Sequence, residues 1–220
     1  SKGMSNQEAE LKGVEDFAVE CSLIKVGASE DIQNCADEGI QIFGGMGFSA
    51  DTPMESAWRD ARIGRIYEGT NEINRMLSVG MLLKKGMKGQ IDLMKAVMQA
   101  ASSINTIEEN FRGDELIEEQ KLIYKFKQLF LVLLGNCVQK YGVKLENHQQ
   151  ILLCLSDMLI EIYFSESGLL RTLKNINRTN YDSQKTQKDI VKLYVFEAQN
   201  IIHKKSTEII ARIASGQEKR

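Results

Sequence analysis

The sequence predicts an all-α chain, a first set of helices followed by an up-down helical bundle. Three observations carry this. Pro53 is the only proline in 220 residues. Leu, Ile, Lys, Glu and Gln, all compatible with helix interiors, are abundant. Apolar residues recur at the i, i+3, i+4, i+7 spacing of helices with one buried face.

The elements follow in order. A first helix is expected from about Gln7 to Val26. A second is expected from Ile32, with Cys35, Ala36, Gly39, Ile40 and Phe43 on its buried face. It stops at Gly44-Gly45-Met46-Gly47, where glycine can take the left-handed conformation that closes a helix. Asp51-Thr52-Pro53 then reads as a cap followed by proline at a first helical position. That helix carries Met54, Ala57, Trp58 and Ala61 on one face and ends near Tyr67-Glu68-Gly69. Thr70 or Asn71 caps the next helix, with Ile73, Met76, Leu77 and Gly80 expected to face inward. Beyond Lys84-Lys85-Gly86 come four amphipathic segments, 88–102, 115–142, 146–176 and 183–214, joined by short polar links. The predicted domains are therefore 1–87 and 88–220.

Composition narrows the function. The chain is 43% hydrophobic and 26% charged, with a formal net charge of −2. That balance points away from nucleic acid and from an anionic membrane surface as main partner. No apolar run approaches the roughly 18 residues that span a bilayer, and the start, "SKGMSNQEAE", is no signal peptide. Cys21, Cys35, Cys137 and Cys154 form no CxxC pair and are expected to be reduced and buried. His148 and His203 have no ligand-spaced neighbour, so no metal site is expected.

Three stretches carry possible chemistry. "QIFGGMGF", residues 41–48, is neither a Rossmann fingerprint nor a P-loop, because no strand precedes it and no Lys-Ser/Thr follows. Alone it reads as a helix stop, yet three glycines admit a close backbone or a flat ligand. Arg59, Asp60, Arg62 and Arg65 could be a solvated face, and Arg62 and Arg65 could also meet a carboxylate or an anionic partner. Glu68, between Tyr67 and Gly69 at a helix break, is a surface acid near a helix N-terminus or a carboxylate aimed at a substrate.

Taken together, residues 35–82, "CADEGIQIFGGMGFSADTPMESAWRDARIGRIYEGTNEINRMLSVGML", resemble the acyl-CoA dehydrogenase family. The resemblance rests on Gln-Ile-x-Gly-Gly-x-Gly-Phe, an Arg-Asp helix and Tyr/Phe-Glu-Gly-Thr, in that order and at that separation. It is closest to the very-long-chain type, which adds a C-terminal helical domain; residues 144–172 resemble that extension more weakly. The first domain would then be part of the family's C-terminal helical domain.

The resemblance implies that Glu68 is the base that removes the α-proton of a fatty acyl-CoA, giving a trans-2-enoyl-CoA. It implies FAD as cofactor. Gln41, Ile42, Phe43, Gly44 and Gly45 match the segment that touches the FAD adenosine and pyrophosphate from a neighbouring subunit. Thr70, Asn71 and Glu72 match further FAD contacts and Gly69 matches a substrate contact, with Tyr67 beside it expected to provide a wall for the substrate. Electron-transfer flavoprotein is the expected electron acceptor and a homodimer the expected assembly. The setting would be the bacterial cytoplasm, or the mitochondrion in a eukaryote. The family's first helical domain and central β-domain are not in this sequence. The chain is therefore expected to be a C-terminal fragment that folds but neither retains FAD nor turns over acyl-CoA alone. The rival reading is a non-catalytic helical assembly module derived from the enzyme.

Overall fold

The computed structural model describes residues 5–103, 111, 115–176 and 181–214. Among them the chain is helical throughout, with α1 (Asn6–Asp16), α2 (Ala18–Phe43), α3 (Pro53–Ile63), α4 (Asn71–Met87), α5 (Leu93–Ser103), α6 (Ile117–Tyr141), α7 (Gln149–Asn175) and α8 (Tyr181–Ala214). Short 3-10 turns at Gly44–Phe48 and Gly142–Asn147 follow α2 and α6. The helices pack into two compact units, Ser1–Leu82 and Leu83–Arg220.

In the first unit, α1 starts at a capping box in which Ser5 and Glu8 satisfy each other's free backbone N–H groups. The break after it falls at Phe17, not in the 26–32 region that the sequence suggested. Gly27 is absorbed into α2, since one interior glycine costs only about 1 kcal/mol and nothing else there opposes the helix. Gly44 ends α2 with φ 60°, as expected of its glycine. Pro53 is at the first helical position of α3, but the Thr52 hydroxyl donates to Met46 O at 2.7 Å rather than capping the helix.

The expected burial fails in an informative way. Ile32, Cys35 and Phe43 are exposed on α2, and Ile73, Leu77 and Gly80 are exposed on α4. The apolar side chains buried in this unit are Val19, Leu23, Val26, Ala36, Ala61 and Val79. Instead α4 turns Asn71, Asn74 and Ser78 inward. Part of the predicted α2 face is covered, with Ala36 buried and Gly39 close against Met54, while Ile32, Cys35 and Phe43 on α2 and Ile73 and Leu77 on α4 stay exposed.

The second unit builds a fuller core. Helix α6 packs on α5, α7 and α8, and α7 packs along α8. Leu134, Leu155, Met158, Ile202 and Ile209 are all but inaccessible. Each such side chain contributes about 1.5–3 kcal/mol relative to exposure. Cys137 and Cys154 are buried here, with burial the main reason that both thiols are pushed up to about 11. Cys21 and Cys35, expected to be buried, are exposed, because they sit on the uncovered side of α2.

Gly135 sets the approach of α5 to α6. A Cβ there would lie 2.4 Å from Val97 Cγ1. Glycine-to-alanine changes inside exposed helices ordinarily stabilise by roughly 0.5–1 kcal/mol. Gly135→Ala is expected to do the reverse, lowering stability by about 1–3 kcal/mol through overpacking. Denaturant unfolding checks the sign, and a neutral or stabilising result would contradict this helix contact.

Candidate functional site

The turn between α3 and α4 is unusual in its backbone. Glu68 has φ 54° and Gly69 φ 84°, two successive left-handed residues. Glycine tolerates this freely, but glutamate at such a φ costs about 1–2 kcal/mol. Substitution at Gly69 is further restricted, since a Cβ would meet Asn74 Nδ2 at 3.0 Å. Hydrogen bonds from Ile66 N and Tyr67 N to Ile63 O finish α3, and Asn71 N donates to Arg65 O at 3.1 Å to close the loop. Thr70 Oγ1 accepts from Ile73 N at 3.3 Å and caps α4. Among the described residues, the N–H of Glu68 has no hydrogen-bond acceptor. Its side chain and that of Tyr67 are exposed.

A polar seam between α2 and α4 holds the loop in this shape. Gly69 O accepts from Lys25 Nζ at 2.7 Å and from Asn74 Nδ2 at 2.8 Å. Lys25 Nζ also donates to Asn71 Oδ1 at 2.8 Å. Asn71 is fully buried, and its Nδ2 donates to Ser29 Oγ at 2.9 Å and to Glu30 Oε1 at 3.1 Å. Glu30 takes a two-pronged pair from Arg75, both distances 2.7 Å, with Arg65 Nη2 at 3.8 Å. A hydrogen bond involving a charged group contributes about 1.5–3 kcal/mol and a neutral one about 0.5–1.5. The charged bond to Gly69 O is thus of the size needed to hold one left-handed glutamate.

Burial pushes the Glu30 carboxyl up, but the Arg75 pair, the Asn71 amide and the Arg65 charge outweigh it and hold it below the usual carboxylate range. Neighbouring Asp31 goes the other way, raised by burial and by the Glu30 charge. Glu72, at the first turn of α4, is held low mainly by a hydrogen bond to its own backbone N–H.

The glycine loop divides its work among three residues. Gly44 supplies the positive φ that ends α2. Gly47 is buried so tightly that a Cβ would lie 2.7 Å from Ile40 O. Gly45 is exposed, and neither it nor Gly44 would bring a Cβ within 4 Å of any atom. Gln41, Ile42, Phe43 and Met46 around them are exposed too, so the loop presents an open, flat and largely apolar face.

The sequence-derived residues therefore lie in two surface groups of the first unit. Glu68, Gly69, Tyr67, Thr70 and Glu72 belong to the turn, and Gln41, Ile42, Phe43, Gly44 and Gly45 to the loop after α2. Asn71 departs from expectation, because its side chain is buried in the seam and presents no polar atom outward. Arg65 meets a carboxylate, Glu30, while Arg59, Asp60 and Arg62 remain exposed. Sequence reasoning missed Lys25, Ser29, Glu30, Asn74 and Arg75. Their signal was polar residues at helical spacing, Lys25-Ser29 on one helix and Asn71-Asn74-Arg75-Ser78 on another. Among the described residues, no group of three or more His, Cys, Asp or Glu is placed to hold a metal ion. No helix among them is long and apolar enough to cross a membrane.

The chain is similar to known proteins. Residues 4–82 and 125–220 each match the acyl-CoA dehydrogenase C-terminal domain. A probable acyl-CoA dehydrogenase of Bacillus subtilis is 35% identical over 206 residues, 93% of this chain and 35% of the relative. The human mitochondrial short-chain specific acyl-CoA dehydrogenase is 46% identical over 68 residues, 31% of this chain and 16% of the relative. The rat very long-chain specific enzyme is 46% identical over 65 residues, 30% of this chain and 10% of the relative. The identity alone therefore does not separate the very-long-chain type from the short-chain type. The crystal structure of an acyl-CoA dehydrogenase complexed with FAD from Bacillus anthracis superposes with a TM-score of 0.89 at 33% identity, over 97% of this chain and 37% of that one. The chain thus spans about a third of the length of the two Bacillus relatives.

The seam carries a pH signature. The Glu30 carboxyl is lower when folded than the ordinary 4.5, so its stabilisation is fully present above about pH 4.5 and is lost as pH falls through the folded value. Glu30→Gln is expected to cost about 1–3 kcal/mol at pH 7. The gap to the parent chain should close as pH falls from 4.5 through the lower folded value. Paired denaturant titrations check this, and a gap independent of pH would exclude the charged pair as its source.

Proposed function

Because the chain belongs to the acyl-CoA dehydrogenase family, we propose that it supplies the catalytic base and part of the cofactor-binding surface of an enzyme that oxidises a fatty acyl-CoA to a trans-2-enoyl-CoA. One observation carries this reading: Glu68 stands exposed in a left-handed conformation, with no acceptor for its N–H among the described residues, on a turn that a partly buried polar seam holds in place. A strained glutamate persists only where its surroundings over-determine it, and such positions cluster at functional sites.

The chemistry follows from those two groups. The α-proton of a thioester is weakly acidic, so its removal needs a base in reach and donors for the charge that develops on the carbonyl oxygen. The Glu68 carboxylate takes the proton. Its free N–H is one donor to the thioester oxygen. Gly69, without a side chain, leaves room for the acyl group, and Tyr67 offers it a wall. A placed base contributes roughly 10²–10⁴-fold.

The residues present fit FAD. The open face at Gly44 and Gly45 admits a flat group with no Cβ in the way. Gln41, Ile42 and Phe43 would line it, and Thr70 and Glu72 would meet the cofactor at the start of α4. Asn71 would contribute through the shape of the turn rather than its side chain. FAD, when bound, accepts the β-hydrogen as hydride. The exposed stripes of α2 and α4 are where the rest of the enzyme or a second subunit would pack, in keeping with a homodimer. By this reading the 220 residues alone neither retain FAD nor turn over substrate, and electron-transfer flavoprotein reoxidises the complete enzyme. A non-catalytic assembly module would have no use for a strained acid at position 68.

The test is Glu68→Gln in the complete enzyme, assayed with palmitoyl-CoA and an artificial electron acceptor. Flavin absorbance should be unchanged and kcat should fall by several orders of magnitude. Activity within tenfold of the parent would place the base elsewhere.

A further inference from the structure

The carbonyl of Gly69 is bonded beyond ordinary need. A carbonyl in an exposed turn is satisfied by water, yet this one takes both the Lys25 ammonium at 2.7 Å and the Asn74 amide at 2.8 Å. Asn74 belongs to α4 and sits five residues along from Gly69, so it moves with the turn. Lys25 comes from α2, 44 residues away, and ties the turn to a separate element. Its second bond, to Asn71 Oδ1, is to a fully buried side chain held by Ser29 and Glu30. The ammonium is therefore anchored before it reaches Gly69.

We propose that Lys25 is a positioning residue for proton abstraction by Glu68, fixing the left-handed Glu68-Gly69 backbone through the Gly69 carbonyl. The inference rests on Glu68 being the base. Without the Lys25 bond, Gly69 O is held only by Asn74, and the following peptide can rotate. Glu68 is then free to relax to negative φ, which re-aims its carboxylate and its N–H together. Both the base and the oxyanion donor would lose register in one movement. Displacement of a catalytic group by about 1 Å costs on the order of 10²-fold. The effect falls on kcat, since neither Lys25 nor Gly69 O is proposed to touch substrate or cofactor.

The experiment places Lys25→Met, Lys25→Gln and Lys25→Arg beside Glu68→Gln in the complete enzyme, with palmitoyl-CoA as substrate. Lys25→Met is expected to keep its flavin and its KM while kcat falls about 10²-fold. Lys25→Arg, which restores a charged donor, should recover most of that loss. Should Lys25→Met fail to fold, Lys25→Gln is read in its place, with an intermediate kcat expected from a neutral donor. A flavin-loaded Lys25 variant lacking the charge but with kcat within threefold of the parent would overturn the proposal. So would a loss that follows flavin content or melting temperature, or one that arginine does not restore. An inactive Glu68→Gln beside a normal Lys25→Met would refute the positioning role alone. An active Glu68→Gln would remove the base itself and the inference with it.

Discussion

The arrangement of the first unit depends on one ion pair, Arg75 on Glu30. It joins α2 to α4 with two bonds of 2.7 Å, and the groups around it organise the turn. Asn71 bonds Glu30 and accepts from Lys25, and Lys25 then reaches Gly69 O. Remove the carboxylate and the chain of contacts loses its anchor at the buried end. A half-buried pair such as this is weak evidence for stability, since desolvation offsets much of the attraction. Its value here is geometric: planar Arg75 and a carboxylate meet in one orientation only, which fixes how α4 sits on α2.

This explains why a unit with so little apolar core has a defined shape. Val19, Leu23, Val26 and Val79 provide the larger part of its buried hydrophobic volume. The seam supplies the rest of the specificity, through Ser29, Asn71 and Asn74 in addition to the charges. Polar interiors of this kind are costly unless satisfied; Lys25, Ser29, Asn71 and Asn74 are bonded, while the buried Arg65 Nε has no partner among the described residues. The second unit uses the opposite strategy, with long helices and interlocked Leu, Ile and Met side chains and few buried charges.

Much of this was legible in the sequence. Helix periodicity located α6, α7 and α8, because each buries an apolar face against neighbours within the chain. Gly44 and Pro53 marked helix boundaries through backbone restrictions that no packing can override. Tyr67-Glu68-Gly69-Thr70 was legible as a break, but the left-handed φ at Glu68 was not, since nothing in glutamate's identity announces it. The inward face of α4 was misread because its apolar stripe is the outward one. Periodicity reports that a helix has two faces, while the depth of each depends on what lies beside it. The seam stayed hidden for a related reason: Lys25 and Gly69 are neighbours in space across 44 residues of sequence.

The uneven burial of the two units bears on the order in which the chain can acquire structure. Residues of the first unit are made before those of the second, yet the second holds most of the buried aliphatic side chains. Exposed Ile42, Phe43, Phe48 and Ile73 leave the first unit with sticky faces and little to gain by folding early. The helices of the later unit contact mostly near neighbours in sequence, such as α5 on α6 and α7 on α8, a pattern that favours fast closure. The segment that carries Glu68 thus has less to gain from ordering early, while the later unit has the burial and the local contacts that favour early closure.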